Sequence, residues 1–226
     1  MRAHRGAAVA ILLVALASAQ ARAACGDPPA PEVDWSGCTK SRLVLKGRPL
    51  MDAKFDRAVL LGVNFAAADL ARASFRASEI NHASFSGASL EGARFDKSVA
   101  VRVDFSGARL RDASLEKAVF HRVDLSRAVL RGVDLSKGDF GRSSFDRADL
   151  TGASLQLSSI ARASFLGARL DGADLAQAFT FAARFAGTDL SGVKGLTQGQ
   201  LDIACGDSRT RLPPGLKAPA AWPCEE

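Results

Sequence analysis

The sequence contains no tyrosine and only two methionines, and its three histidines are His4, His82 and His121. Acid–base or nucleophilic catalysis therefore has few side chains to use, and neither His82 nor His121 comes with the nucleophile and orienting partner that acyl transfer needs. No CxxC pair, phosphate-binding glycine loop or nine-residue Gly-Asp calcium repeat occurs, so no catalytic residue, metal ligand or cofactor is expected. Long hydrophobic runs are also missing. The longest, AAVAILLVALA at 7–17, has eleven residues, against about 20 for a membrane-spanning helix.

That run follows Arg2 and Arg5 and precedes Ala21-Arg22-Ala23, the pattern of a secretory signal peptide cleaved after Ala23. Cys25 does not make a lipoprotein site, because Arg22 stands where leucine is required. The expectation is a soluble periplasmic or secreted protein without a transmembrane segment. Without Arg2, Arg5 and Arg22 the formal charge falls from +6 to +3, too small an excess to imply nucleic acid. Four cysteines remain, and in an exported chain an even count reads as disulfides. Three pairings are possible. Cys25 with Cys38 and Cys205 with Cys224 are favoured because the two pairs sit at opposite ends of the sequence.

Between those ends the pattern is regular. Of the 30 positions divisible by five from Leu45 to Leu190, 28 are Leu, Phe or Ile; the exceptions are Ala100 and Thr180. The residue two before each is mostly Ala or Val. Neither a helical stripe nor a strand alternation has this period, whereas a solenoid, each coil burying its side chains against its neighbours, does.

The units ADLAR (68–72), VDFSG (103–107), VDLSR (123–127), VDLSK (133–137), ADLTG (148–152), ADLAQ (173–177) and TDLSG (188–192) resemble the pentapeptide-repeat family. The resemblance implies an all-β solenoid, a right-handed quadrilateral β-helix with four five-residue sides per coil. A second period, of twenty, supports four sides independently. Leu50, Leu70, Leu90, Leu110, Leu130, Leu150, Leu170 and Leu190 form one column, side B. Side A runs from Leu45 and Phe65 to Phe185, and side C changes from Phe55, Phe75 and Phe95 to Leu115 and onwards. The predicted organisation is a signal peptide (1–23), an N-terminal cap with a disulfide loop around Trp35 (24–50), a β-helix of about seven coils (51–195) and a C-terminal cap (196–226). At strand spacing of about 4.8 Å the helix is a rod of roughly 34 Å. In the last segment Thr197 and Gln200 read as a capping box opening a short helix over 198–204, which would lay Leu201 and Ile203 on the final coil.

Side D is the irregular one, centred on Leu60, Ile80, Ala100, Phe120, Phe140, Ile160 and Thr180. Its outward neighbours Val59, Leu61, Val99, Val101, Val119, Phe179 and Phe181 make a candidate apolar contact strip, open as well to homodimerisation or to cover by the terminal segments. The corner leaving side D carries His82, Arg102, Arg122, Arg142 and Arg162, a candidate ladder for phosphate, sulfate or carboxylate groups, with Asp104 and Asp124 placed to neutralise part of it. Lys97, Lys117 and Lys137 form a second basic column, balanced by Asp96 and Glu116. The expected function is a non-enzymatic exported scaffold whose partner is a protein or an anionic envelope polymer. Some family members protect DNA gyrase by imitating DNA, but that role needs an acidic surface and a cytoplasmic location.

Overall fold

A computed structural model of the chain describes residues 25–224. The predicted signal peptide lies outside these residues. Parallel bridges join residues twenty apart on every side of the coil, from Asp34↔Lys54 through Asp104↔Asp124 to Asp174↔Lys194. Each five-residue side is too short for more than one bridge in most coils. Only on side D does it widen into strands, β1 (Val99–Val101) paired in parallel with β2 (Val119–His121).

The backbone hydrogen bonds of one unit explain the five-residue rule. Take Leu50 to Lys54. Leu50 N–H donates to Asp69 O and Asp52 N–H to Ala71 O in the next coil, while Lys54 N–H donates to Val33 O in the previous one. Ala53 N–H closes the turn onto Leu50 O. One amide per unit, that of the residue after the centre, has no backbone partner and is left to a side chain or to solvent. An aspartate just before the centre supplies the acceptor: Asp69 takes Ala71 N–H, Asp104 takes Ser106 N–H and Asp134 takes Ser136 N–H. This is why Asp recurs in ADL and VDL units. It caps its own turn.

The turn sets the corner. Every residue two past a centre, from Glu32 to Gly187, has φ between 53° and 68°, the left-handed third position of a type II turn. Glycine takes it freely, whereas arginine, lysine or alanine there costs about 1 kcal/mol or more.

Inside, like residues stack on like. Phe55, Phe75 and Phe95 stack with centroids 4.7 Å apart on side C, and Phe65, Phe85 and Phe105 stack at 4.9 and 4.7 Å on side A. Where side C turns to leucine at Leu115, Phe120 and Phe140 on side D refill the core, Phe120 meeting Phe105 at 5.7 Å. Phe140 fits because the inward position before it is Gly138, where a Cβ would stand 2.7 Å from its ring. Buried hydroxyls are satisfied: Ser78, Ser98 and Ser158 each donate to the carbonyl three residues back.

The pairing begins upstream of residue 51. Trp35 is the first member of the side C column, 1% exposed and edge-on to Phe55 at 5.8 Å. Lys40 stands where side D would have an apolar centre, its ammonium 4.4 Å from the Trp35 ring centroid and bonded to Cys25 O. The Cys25–Cys38 and Cys205–Cys224 disulfides are both present. At the other end α1 (Gln198–Asp202) is opened by the Thr197–Gln200 capping box. The Gln200 amide also donates to Leu175 O and Ala178 O, closing side C of the last coil. The helix stops short of 204, and Ile203 is 40% exposed rather than laid on the coil. Ile203 is the C-cap; Ala204 turns inward instead so that Cys205 can pair with Arg184.

Candidate functional site

Side D and its following corner form one face. Of the apolar strip, Leu61, Val99, Val119, Phe179 and Phe181 are exposed, while Val59 and Val101 are half-buried. No described segment covers them. Phe179 and Phe181 lie side by side, ring planes within 12°. The corner residues His82, Arg102, Arg122, Arg142 and Arg162 are all exposed, and each has the left-handed φ of the turn.

Asp104 and Asp124 do not neutralise the ladder as the sequence suggests. Their carboxylates are occupied by the amides of Ser106 and Ser126, the turn-capping role that the repeat requires. Among the described residues no carboxylate lies within ion-pair distance of Arg102, Arg122 or Arg142, and Arg162 rests on the Phe181 ring, 5.7 Å from its centroid. Some charges elsewhere are paired, while others, Arg57, Arg127 and Arg147 among them, have no carboxylate within ion-pair distance among the described residues. Glu116 takes Lys117 at 3.0 Å and Lys137 at 3.1 Å, and both ammoniums hold its carboxyl below the usual range. Asp96 goes to Arg76 and Arg94 instead of Lys97.

The outward column one past the side D centres reads Leu61, Asn81, Val101, His121, Gly141, Ala161 and Phe181. Two consecutive small residues open a notch of about 430 Å³, lined by Val101, His121, Arg122, Asp139, Gly141, Arg142, Ser159, Ala161, Arg162 and Phe181. His121 does have an orienting partner, which the linear pattern concealed: its Nε2 is 2.8 Å from Asp139 Oδ2. Asp139 Oδ1 accepts the Gly141 amide at 3.0 Å. Ser159 lines the same notch. The described residues contain no group of three or more His, Cys, Asp or Glu side chains able to hold a metal ion, and no helix long and apolar enough to cross a membrane.

Two family models match the chain: pentapeptide repeat region over residues 49–119, and pentapeptide repeats over 101–142 and 139–178. No curated protein matches it. Similar solved structures include HetL, a pentapeptide repeat protein involved in heterocyst differentiation regulation from the cyanobacterium Nostoc, at 25% identity over 78% of this chain and 90% of that one, TM-score 0.42. Full-length QnrB1, a plasmid-mediated fluoroquinolone resistance protein, is 14% identical over 80% of this chain and 91% of its own, TM-score 0.41. A pentapeptide repeat protein of the Arabidopsis thaliana thylakoid lumen is 30% identical over 52% and 64%, TM-score 0.19.

Proposed function

The chain belongs to the pentapeptide repeat family, and from that premise we propose that it is a non-enzymatic exported scaffold, a right-handed quadrilateral β-helix of about seven coils that presents side D and its corner as a rigid interaction face. The observation that carries this reading is the pairing pattern of the charges. Aspartates across the repeats serve turns or ion pairs; other basic side chains also stand without a carboxylate, but Arg102, Arg122 and Arg142 are three such residues on successive coils of one corner among the described residues. Coil spacing puts neighbouring arginines about 4.8 Å apart at the backbone, so an anionic partner could bridge several at once. The two disulfides suit an oxidising compartment.

The sharper form of the proposal is recognition of an anionic envelope polymer. A protein partner docked on Val99, Val119 and Phe181 is the alternative that the exposed strip supports. DNA mimicry finds no support in a face lined with arginine. The test is retention of the protein on an anionic polysaccharide resin across a salt gradient, beside a variant with Arg102, Arg122, Arg142 and Arg162 changed to Gln. Retention beyond physiological salt that the variant loses supports the ladder. Equal elution overturns it and leaves the apolar strip.

A further inference from the structure

We propose that the notch at Gly141 and Ala161 is a discrete binding site for one acidic sugar unit, a pyranose bearing a carboxylate. The inference rests on the anion-binding reading of this face but goes beyond it, because the arginine ladder alone would bind any polyanion in any register. What breaks the register is the column of side chains beside it. Below the notch stand Val101 and His121, above it Phe181, and between them two coils carry nothing larger than a methyl group. Two coil steps open a trough about 10 Å long, an open surface notch of about 430 Å³ with room for one sugar ring.

Each end offers a different chemistry. Phe181 supplies an aromatic face whose negative quadrupole suits the polarised C–H groups of a sugar ring, and Arg162 is already held against that ring at 5.7 Å. Arg122 and Arg142 line the corner edge without counter-ions and can take a carboxylate in bidentate fashion. At the far end the His121–Asp139 pair, and on the coil next to Phe181 the Ser159 hydroxyl, offer acceptors and donors for ring hydroxyls. A flat aromatic acid would use the arginines and Phe181 but leave these polar groups unpaired. A neutral sugar would leave the arginines unused. The Asp139 charge opposes an anion, yet both its oxygens are engaged, one by the Gly141 amide and one by His121.

The column position of Gly141 accepts a side chain elsewhere in the rod. A Cβ there would meet Asp139 Oδ1 at 3.3 Å and His121 Cδ2 at 3.7 Å, so Gly141→Val fills the notch once the Asp139 carboxylate gives by a few tenths of an ångström. Ala161→Val plugs it a second way. The experiment is calorimetric titration of the exported full chain with trigalacturonate, its methyl ester, galacturonate monomer and polygalacturonate, at physiological salt. Saturable binding of trigalacturonate but not the ester is expected. Gly141→Val, Ala161→Val and Arg142→Gln should each weaken it about tenfold, Arg102→Gln, on the ladder but outside the notch, should weaken it less, and Arg127→Gln, on a different corner, should leave it unchanged. Comparing monomer with polymer tells a free sugar acid from an envelope chain. If Arg102→Gln weakens binding as much as Arg142→Gln and both plugs are silent, the site is overturned and the ladder is an undifferentiated polyanion surface. If no acidic probe binds, the anion-binding reading falls with it.

Discussion

Phe75 and Phe95, twenty residues apart, stack with centroids 4.7 Å apart and ring planes at 0°. Each coil thus packs its ring on the identical ring above and below, while Phe85 meets both edge-on at 5.4 and 5.8 Å. The core is one side chain wide, so a missing ring has no second layer to collapse into it.

Phe85→Ala should therefore cost about 3–5 kcal/mol, the range for emptying a buried aromatic site. Phe85→Leu should cost much less, since leucine already fills side A at Leu125. Urea denaturation midpoints of the two variants check this. Equal losses would mean that the stack itself, rather than filled volume, holds the coil.

The corner makes a prediction of opposite sign for two substitutions. Gly152 has φ +68°, and a Cβ added to it would find nothing within 4 Å, so Gly152→Ala meets no clash and should still lose about 1 kcal/mol to backbone strain. Arg102→Gly, at φ 54°, should relieve the same strain and remove one repelling charge, leaving the midpoint unchanged or higher. A drop for Arg102→Gly would show that the arginine stem stabilises its corner by packing.

Asp207 gives the pH dependence. The Gly187 amide donates to its carboxylate, with Arg209 and Thr210 adding to the effect, and its pKa falls from 3.8 to about 2. A depressed carboxylate contributes stability that is present above its unfolded value and lost as pH falls through the folded one. Melting temperature should thus decline between about pH 4 and pH 2 partly through Asp207, and Asp207→Asn should flatten that part of the profile. Parallel profiles for the two proteins would remove Asp207 from the acid response.

The C-terminal cap depends on its cross-link. Cys205 and Cys224 enclose 19 residues of sequence separation, and Trp222 donates to Ala204 O at 2.8 Å above Gly206. Cys224→Ser should cost about 3 kcal/mol on the chain-entropy account and free Trp222, read as a red shift in its fluorescence before global unfolding. An unshifted spectrum would mean that the tail docks without the bridge.

Much of this molecule is legible in one dimension because each coil repeats the last. The period of five places every centre inside, the period of twenty stacks Leu50 under Leu70 and Phe75 under Phe95, and cysteine spacing gives the two caps. A solenoid has few arrangements consistent with such a register, since a slip of one residue would turn every Leu and Phe outward. Tertiary structure decided which polar groups meet across coils. Asp104 follows Arg102 in sequence but serves Ser106, because an orphan amide inside a tight turn outcompetes a solvated guanidinium. His121 and Asp139 lie eighteen residues apart and become neighbours only when adjacent coils stack. Trp35 enters the side C column as the centre of a regular unit, VDWSG (33–37), whose Asp34 takes the Ser36 amide and whose Gly37 turns the corner; tryptophan in place of Leu or Phe hid it in the sequence. The notch, too, exists only in the stack: Gly141 and Ala161 are ordinary singly, and a cavity appears because their flanking coils carry His121 and Phe181.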